Sequence, residues 1–276
     1  MTDQERMTPM WIGLGRAIGG SIIFSLPMMM TMEMWWIGFY ISPIRLACLI
    51  LFSLPLFYRI STMIGFRRSK TFWDNVIDVL VSYAVAFFTT GVVLVSLGVI
   101  QPGMDVGSAY SILLLQAVPG SLGALLARNI VSEGSDTNEE AQEKEGRNYK
   151  DDLTILATGA LFLAFNLAPT EEMILLSYKM TTWHALVLLV LTLIVMHAFA
   201  VASSKCSPTQ LSSWSTHWGI FVRITSSGYL IAFLISFFML WVFESLADKS
   251  FYNAVKGIIV LGFPAGIGAA ASRMIL

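Results

Sequence analysis

Charge is scarce in this chain. Only 13% of its 276 residues are Asp, Glu, Lys or Arg, about half the share that a soluble domain carries, so a soluble globular fold is excluded. The net charge of −1 carries no message about nucleic acid, and no basic arm is present to bind it. Cysteine is nearly absent as well. Cys48 and Cys206 have neither metal-ligand spacing nor a disulfide framework, and read as small packing residues. The three histidines, His184, His197 and His217, are scattered too widely for a metal site. No Walker, G-x-G-x-x-G, H-E-x-x-H or G-x-S-x-G motif occurs, so no cofactor is expected.

What the chain has instead is apolar length. Hydrophobic residues make up 56% of it, and runs of about 20 recur from end to end. The fold class expected is an all-α polytopic membrane protein whose first partner is the lipid bilayer. Eight spans are expected, near 12–33, 43–58, 77–99, 108–127, 153–171, 184–203, 221–243 and 256–273. The apolar run after MTDQERMTPM lacks an A-x-A cleavage site, which predicts a retained first span. With the N-terminus inside, Arg6, Arg16, Arg59, Arg67, Arg68, Lys70, Arg128, Lys144, Arg147, Lys150, Lys205, Arg223 and Arg273 fall on the inner side. Only Arg45, Lys179, Lys249 and Lys256 fall on the outer side. Such an excess predicts cytoplasmic N- and C-termini.

The chain carries one motif twice. Gly20–Met34 reads GSIIFSLPMMMTMEM and Gly159–Met173 reads GALFLAFNLAPTEEM. At a spacing of 139 residues, Gly20, Thr31, Glu33 and Met34 meet Gly159, Thr170, Glu172 and Met173. At a spacing of 145, Pro119, Gly123, Ala124, Arg128 and Ile130 fall on Pro264, Gly268, Ala269, Arg273 and Ile275. Two four-helix repeats are therefore expected, at 1–132 and 153–276, joined by an acidic cytoplasmic linker at 133–152. That linker holds eight of the eighteen acids and cannot bury enough apolar surface to fold alone. An even number of spans per repeat inserts both the same way up, about an axis along the membrane normal.

The candidate site follows from the doubled motif. Glu33 and Glu172 read as carboxylates closing the apolar helices of spans one and five, at a matching outer depth. There they either attract and partly dehydrate a cation or share a proton. The bland alternative is a helix-end acid at the headgroups, with Trp35 and Trp36 as anchors. Thr31 and Thr170 belong to the same tetrad, and Glu171 is the weaker candidate because Met32 takes its place in the first repeat. Midway along these spans Pro27 stands opposite Asn166. A broken, hydrated path and plain interhelical hydrogen bonding both fit that pair. Asp78 aligns with Arg223 at the 145 spacing, which suggests an inter-repeat salt bridge, with snorkelling of each to water as the alternative. Ala117/Ser121 and Gly262/Gly266 flank Pro119 and Pro264, as in kinked packing helices or gating hinges. The methionine run Met28–Met30, Met32 and Met34 covers every face of a helix, which argues against a copper(I) site.

The run GRAIGGSIIFSLPMMMTMEMWW, with FNLAPTEEM, resembles a family of bacterial integral-membrane proteins of unassigned function over nearly the whole chain. The resemblance implies a bacterial inner-membrane protein and nothing about substrate. Three function classes fit the residues. One is a channel or carrier for small inorganic cations or protons, a class in which assembly of identical copies is common. Another is a membrane enzyme acting on lipid or isoprenoid substrates, for which the acids and histidines are too dispersed. The third is a sensor or assembly subunit docking a partner through the acidic loop.

Overall fold

A backbone in lipid has to satisfy its own N–H and C=O groups, so the apolar runs fold as helices. The computed structural model describes residues 3–64, 71–131, 149–205, 218–247 and 249–275. In chain order these form α1 (Asp3–Met29), α2 (Met32–Tyr40), α3 (Pro43–Ile64), α4 (Phe72–Ser96) and α5 (Val106–Val131). There follow α6 (Tyr149–Leu167), α7 (Glu171–Lys179), α8 (Thr182–Lys205), a π-helical turn (Phe221–Ser226) that runs into α9 (Ser227–Val242), and α10 (Phe251–Ile275). No strand occurs among the described residues. Among the described residues, seven helices are long and apolar enough to cross a membrane, or eight if the bent pair α6–α7 is one span. The chain is an all-α polytopic membrane protein.

The chain divides into two units, Met1–Asp136 and Thr137–Leu276. In the first, α5 is the central helix, and α1, α2, α3 and α4 all pack on it. In the second, α10 is central to α6, α7, α8 and α9. Most of each central span is buried, and apolar side chains on the outer helices face outward, as lipid contact requires.

Some local packing recurs at corresponding positions of the two units. Gly20 on α1 crosses Gly123 on α5 so closely that a Cβ at either would strike the other's carbonyl oxygen; Gly159 on α6 and Gly268 on α10 do the same. In the first unit Gly120 packs on buried Ser21 and Ala86, and Ala160, Ala232 and Ala265 are buried at the corresponding positions of the second. The starts of the central helices also correspond. Asp105 accepts from the Ser108 amide at 2.9 Å to cap α5, and Ser250 accepts from the Asn253 amide at 3.4 Å to cap α10. The Ser108 amide, and after it the Ser108 hydroxyl, hold the exposed Asp105 carboxyl below its usual range.

One departure from the register has a local cause. Val93 and Met239 accept the cap bonds that close α4 and α9, a spacing of 146, whereas Asp78 and Arg223 lie 145 apart. The π turn at Phe221–Ser226 absorbs the extra residue, as π turns do.

Where the short helices meet the central ones, the small partner has changed sides. Gly38 on α2 packs on Ile112, whose Cγ1 occupies the place of a Cβ; in the second unit Ser177 on α7 packs on Gly257. Gly38→Ser is therefore expected to destabilise by overpacking, about 1–3 kcal/mol. Combined with Ile112→Ala it should cost clearly less than the sum of the two single changes. A double-mutant cycle of thermal melts in detergent checks this, and strict additivity would mean that the helices do not meet there.

Candidate functional site

The doubled motif folds into a doubled break. After Met29 the chain leaves α1, and after Leu167 it leaves α6. The threonine hydroxyl ends each helix: Thr31 Oγ1 donates to the Met28 carbonyl at 2.9 Å and Thr170 Oγ1 to the Leu167 carbonyl at 2.8 Å. The backbone amides of the same threonines reach the same carbonyls, at 3.2 and 3.1 Å. Each threonine is also the N-cap residue of the next helix, in extended conformation. α2 and α7 are nine residues each, and α7 leaves the axis of α6 at 90°.

This geometry corrects two expectations. Glu33 and Glu172 do not close the apolar spans. They stand in the first turn of the short helices beyond the break, with Glu171 beside Glu172. An apolar run hides such a break because the hydrogen bonds that end the helix belong to threonine, a residue that hydropathy barely penalises. Glu33 is half-buried, and Glu171 and Glu172 are exposed. A first-turn carboxylate complements the helix dipole. Pro27 and Asn166, in turn, are not mid-span. They lie in the last turns of α1 and α6, where Asn166 Nδ2 donates to the Phe162 carbonyl at 2.7 Å and its Oδ1 is buried without a partner.

Gln116 on α5 adds a feature that the sequence reading missed: its Nε2 donates to the Met28 carbonyl at 3.2 Å, bracing the first break. Leu261 holds the equivalent place, so the signal was a polar residue in one copy only. The methionines split between faces, Met28, Met29 and Met34 buried, Met30 and Met32 exposed.

The other candidates lie elsewhere. Asp78 is buried on α4, with Ser61 Oγ 3.5 Å from its carboxylate. Arg223 is exposed, its guanidinium 5.0 Å from the Tyr149 ring centre. His184 Nδ1 pairs with Thr181 Oγ1 at 2.8 Å, and His197 Nδ1 pairs with Thr225 Oγ1 at 3.2 Å. His217, Cys206 and most of the acidic segment lie outside the described residues. The end of that segment is helical: Asp151 and Asp152 sit in the first turn of α6, and Asp152 Oδ1 accepts from Arg273 Nε at 3.2 Å. Pro119 and Pro264 lie inside the continuous helices α5 and α10.

A bundle of long apolar helices, broken at matching places and packed through small residues, defines an integral membrane protein of the polytopic helical class. The chain belongs to the family described as "Putative integral membrane protein (DUF2391)", whose model matches residues 13–276. No curated protein and no solved structure matches it.

Proposed function

We propose that the protein moves small cations or protons across a bacterial inner membrane, as a channel or carrier, with both termini cytoplasmic. The observation that carries this reading is the recurrence of Thr-x-Glu-Met at an identical helix break in each half. A carboxylate needed only to cap a helix could be any first-turn acid. Here the same glutamate follows the same threonine by two residues in both copies. In parallel repeats the two carboxylates share one depth at the outer mouth, where their combined charge attracts a cation. Thr31 and Thr170 hold the breaks open to water, while Pro27 and Asn166 set the helix ends just inside them. The proposal extends to Asp78 and Arg223 as a latch between the halves.

Ion flux into liposomes tests it. Wild-type protein should pass at least one of K⁺, Na⁺, Ca²⁺ or H⁺. Glu33→Gln and Glu172→Gln should each lower the flux several-fold, and Glu171→Gln much less. Two unit charges 4 Å apart interact by about 4 kcal/mol at an effective dielectric of 20, against about 1 in water, so loss of either carboxylate of a close pair removes much of the attraction. Equal flux for wild type and both variants would overturn the site.

A further inference from the structure

A cationic corner that the doubled motif does not explain lies where α7 ends and α8 and α10 begin. Lys256, on α10, is 6% exposed. Its Nζ donates to the Met180 carbonyl at 3.1 Å and lies 4.4 Å from the Tyr252 ring centre. Among the described residues no carboxylate comes within ion-pair distance of it. Tyr252 in turn bonds Thr182 at the start of α8, 2.7 Å between hydroxyl oxygens. Lys249 lies over Tyr178 at 5.8 Å, and its ammonium is held below its usual pKa by desolvation. Lys179 directly precedes Met180. Two of the four cations that the charge tally places on this side meet here, and a third, Lys179, belongs to the same helix end.

Helix capping alone does not account for them. In the first unit the same corner holds Tyr40, Met104, Gly107 and Ser111 in place of Lys179, Lys249, Tyr252 and Lys256. α2 nevertheless closes as α7 does, Ile41 N–H to Ile37 O at 2.8 Å against Met180 N–H to Leu176 O at 3.0 Å. The fold needs no buried ammonium there. A carbonyl and a ring face leave an ammonium with donors to spare and, among the described residues, no countercharge.

The surroundings of the corner are apolar. α8 turns an outward stripe of Trp183, Leu186, Val187, Val190, Leu191 and Ile194 away from the Thr192 and Met196 face that meets α10. All six are exposed and none is polar. At 1.5 Å per residue the stripe is about 16 Å long, the depth of one leaflet of a hydrocarbon core about 30 Å thick. We propose that this corner is a binding site for an anionic phospholipid, its phosphate held by Lys256 and Lys249 with Lys179 supplying charge from the same helix end. Phe251 and Tyr252, both exposed, mark the headgroup level on the adjoining helix.

Native mass spectrometry of the full-length protein in neutral detergent tests the site with defined lipids. Phosphatidylglycerol should be retained about tenfold more tightly than phosphatidylcholine of the same chains. Lys249→Gln and Lys179→Gln, both on accessible side chains, should each weaken retention about fivefold, the effect of one basic residue at an anionic lipid surface. Lys256→Met should weaken it further. Equal retention of the two lipids, or indifference to the two accessible lysines, overturns the proposal even if Lys256→Met fails to fold. A thermal shift with inorganic phosphate as large as that with phosphatidylglycerol would assign the cations to a free phosphate and overturn the lipid.

Discussion

Gly159→Ala and Gly268→Ala are expected to unfold the second half at temperatures where the wild type survives. A Cβ on Gly159 would stand 2.6 Å from both Cβ and Oγ of Ser272, with the Gly268 carbonyl oxygen closer still. One on Gly268 would meet the Gly159 carbonyl carbon and Leu163 Cγ at 3.0 Å. A flexible side chain could yield, but a backbone carbonyl inside a helix cannot. α6 and α10 would have to separate, and with them goes the longest helix contact of that half. Overpacking costs about 1–3 kcal/mol where side chains can shift; against backbone the expected loss is at the top of that range. Gly20→Ala and Gly123→Ala should behave alike in the first half, where Ala127 and Phe24 Cβ atoms stand 2.6 Å from the added groups. Gly19→Ala is the control. Nothing lies within 4 Å of its Cβ position, and alanine is the better helix former by about 1 kcal/mol, so it should melt at or above the wild type. Thermal unfolding in detergent, read with the fraction surviving gel filtration, separates the cases. A wild-type melt for Gly159→Ala would mean that the helices cross farther apart than described.

These glycines show how much was legible beforehand and where reading stopped. Gly20 and Gly159, and Gly123 and Gly268, stood out as repeated residues, because identity at a fixed spacing is visible in one dimension. That the first pair touches the second was not, since contact depends on how two helices cross. The helical class was legible because lipid leaves the backbone few other options. The breaks at Thr31 and Thr170 were hidden for a chemical reason: a hydroxyl that satisfies a carbonyl three residues back leaves no mark on hydropathy. The cationic corner was spread over Lys179, Lys249 and Lys256, which only the meeting of α7, α8 and α10 gathers. Asp152 reads as linker because it and Asp151 follow the acidic run after only five residues, although they belong to the first turn of α6.

Asp152 and Arg273 carry the other large expected effect. The carboxylate lies in the first turn of α6 and the guanidinium in the last turn of α10, so each suits the dipole of its own helix end. Their side chains are 12% and 18% exposed, with 3.2 Å between Oδ1 and Nε. Beside them Ser272 Oγ donates to the Ile155 carbonyl at 2.7 Å, tying the same two helices together. Breaking a fully buried pair by removing one partner costs about 3–5 kcal/mol, because a desolvated charge is left behind. The residual exposure here lowers the expectation to about 2–3 kcal/mol for Arg273→Gln or Asp152→Asn. The double variant should recover part of that loss, since neither charge is then stranded, giving a coupling of about 1 kcal/mol or more. Raising the salt from 0.1 to 1 M shortens the Debye length from about 10 to about 3 Å, yet should change the coupling little, because a pair this buried excludes the screening ions. Thermal melts of the four proteins at both salt concentrations decide the matter. A coupling that vanishes at 1 M salt would make the pair a surface contact and leave the glycine crossing and Ser272 to hold α6 against α10.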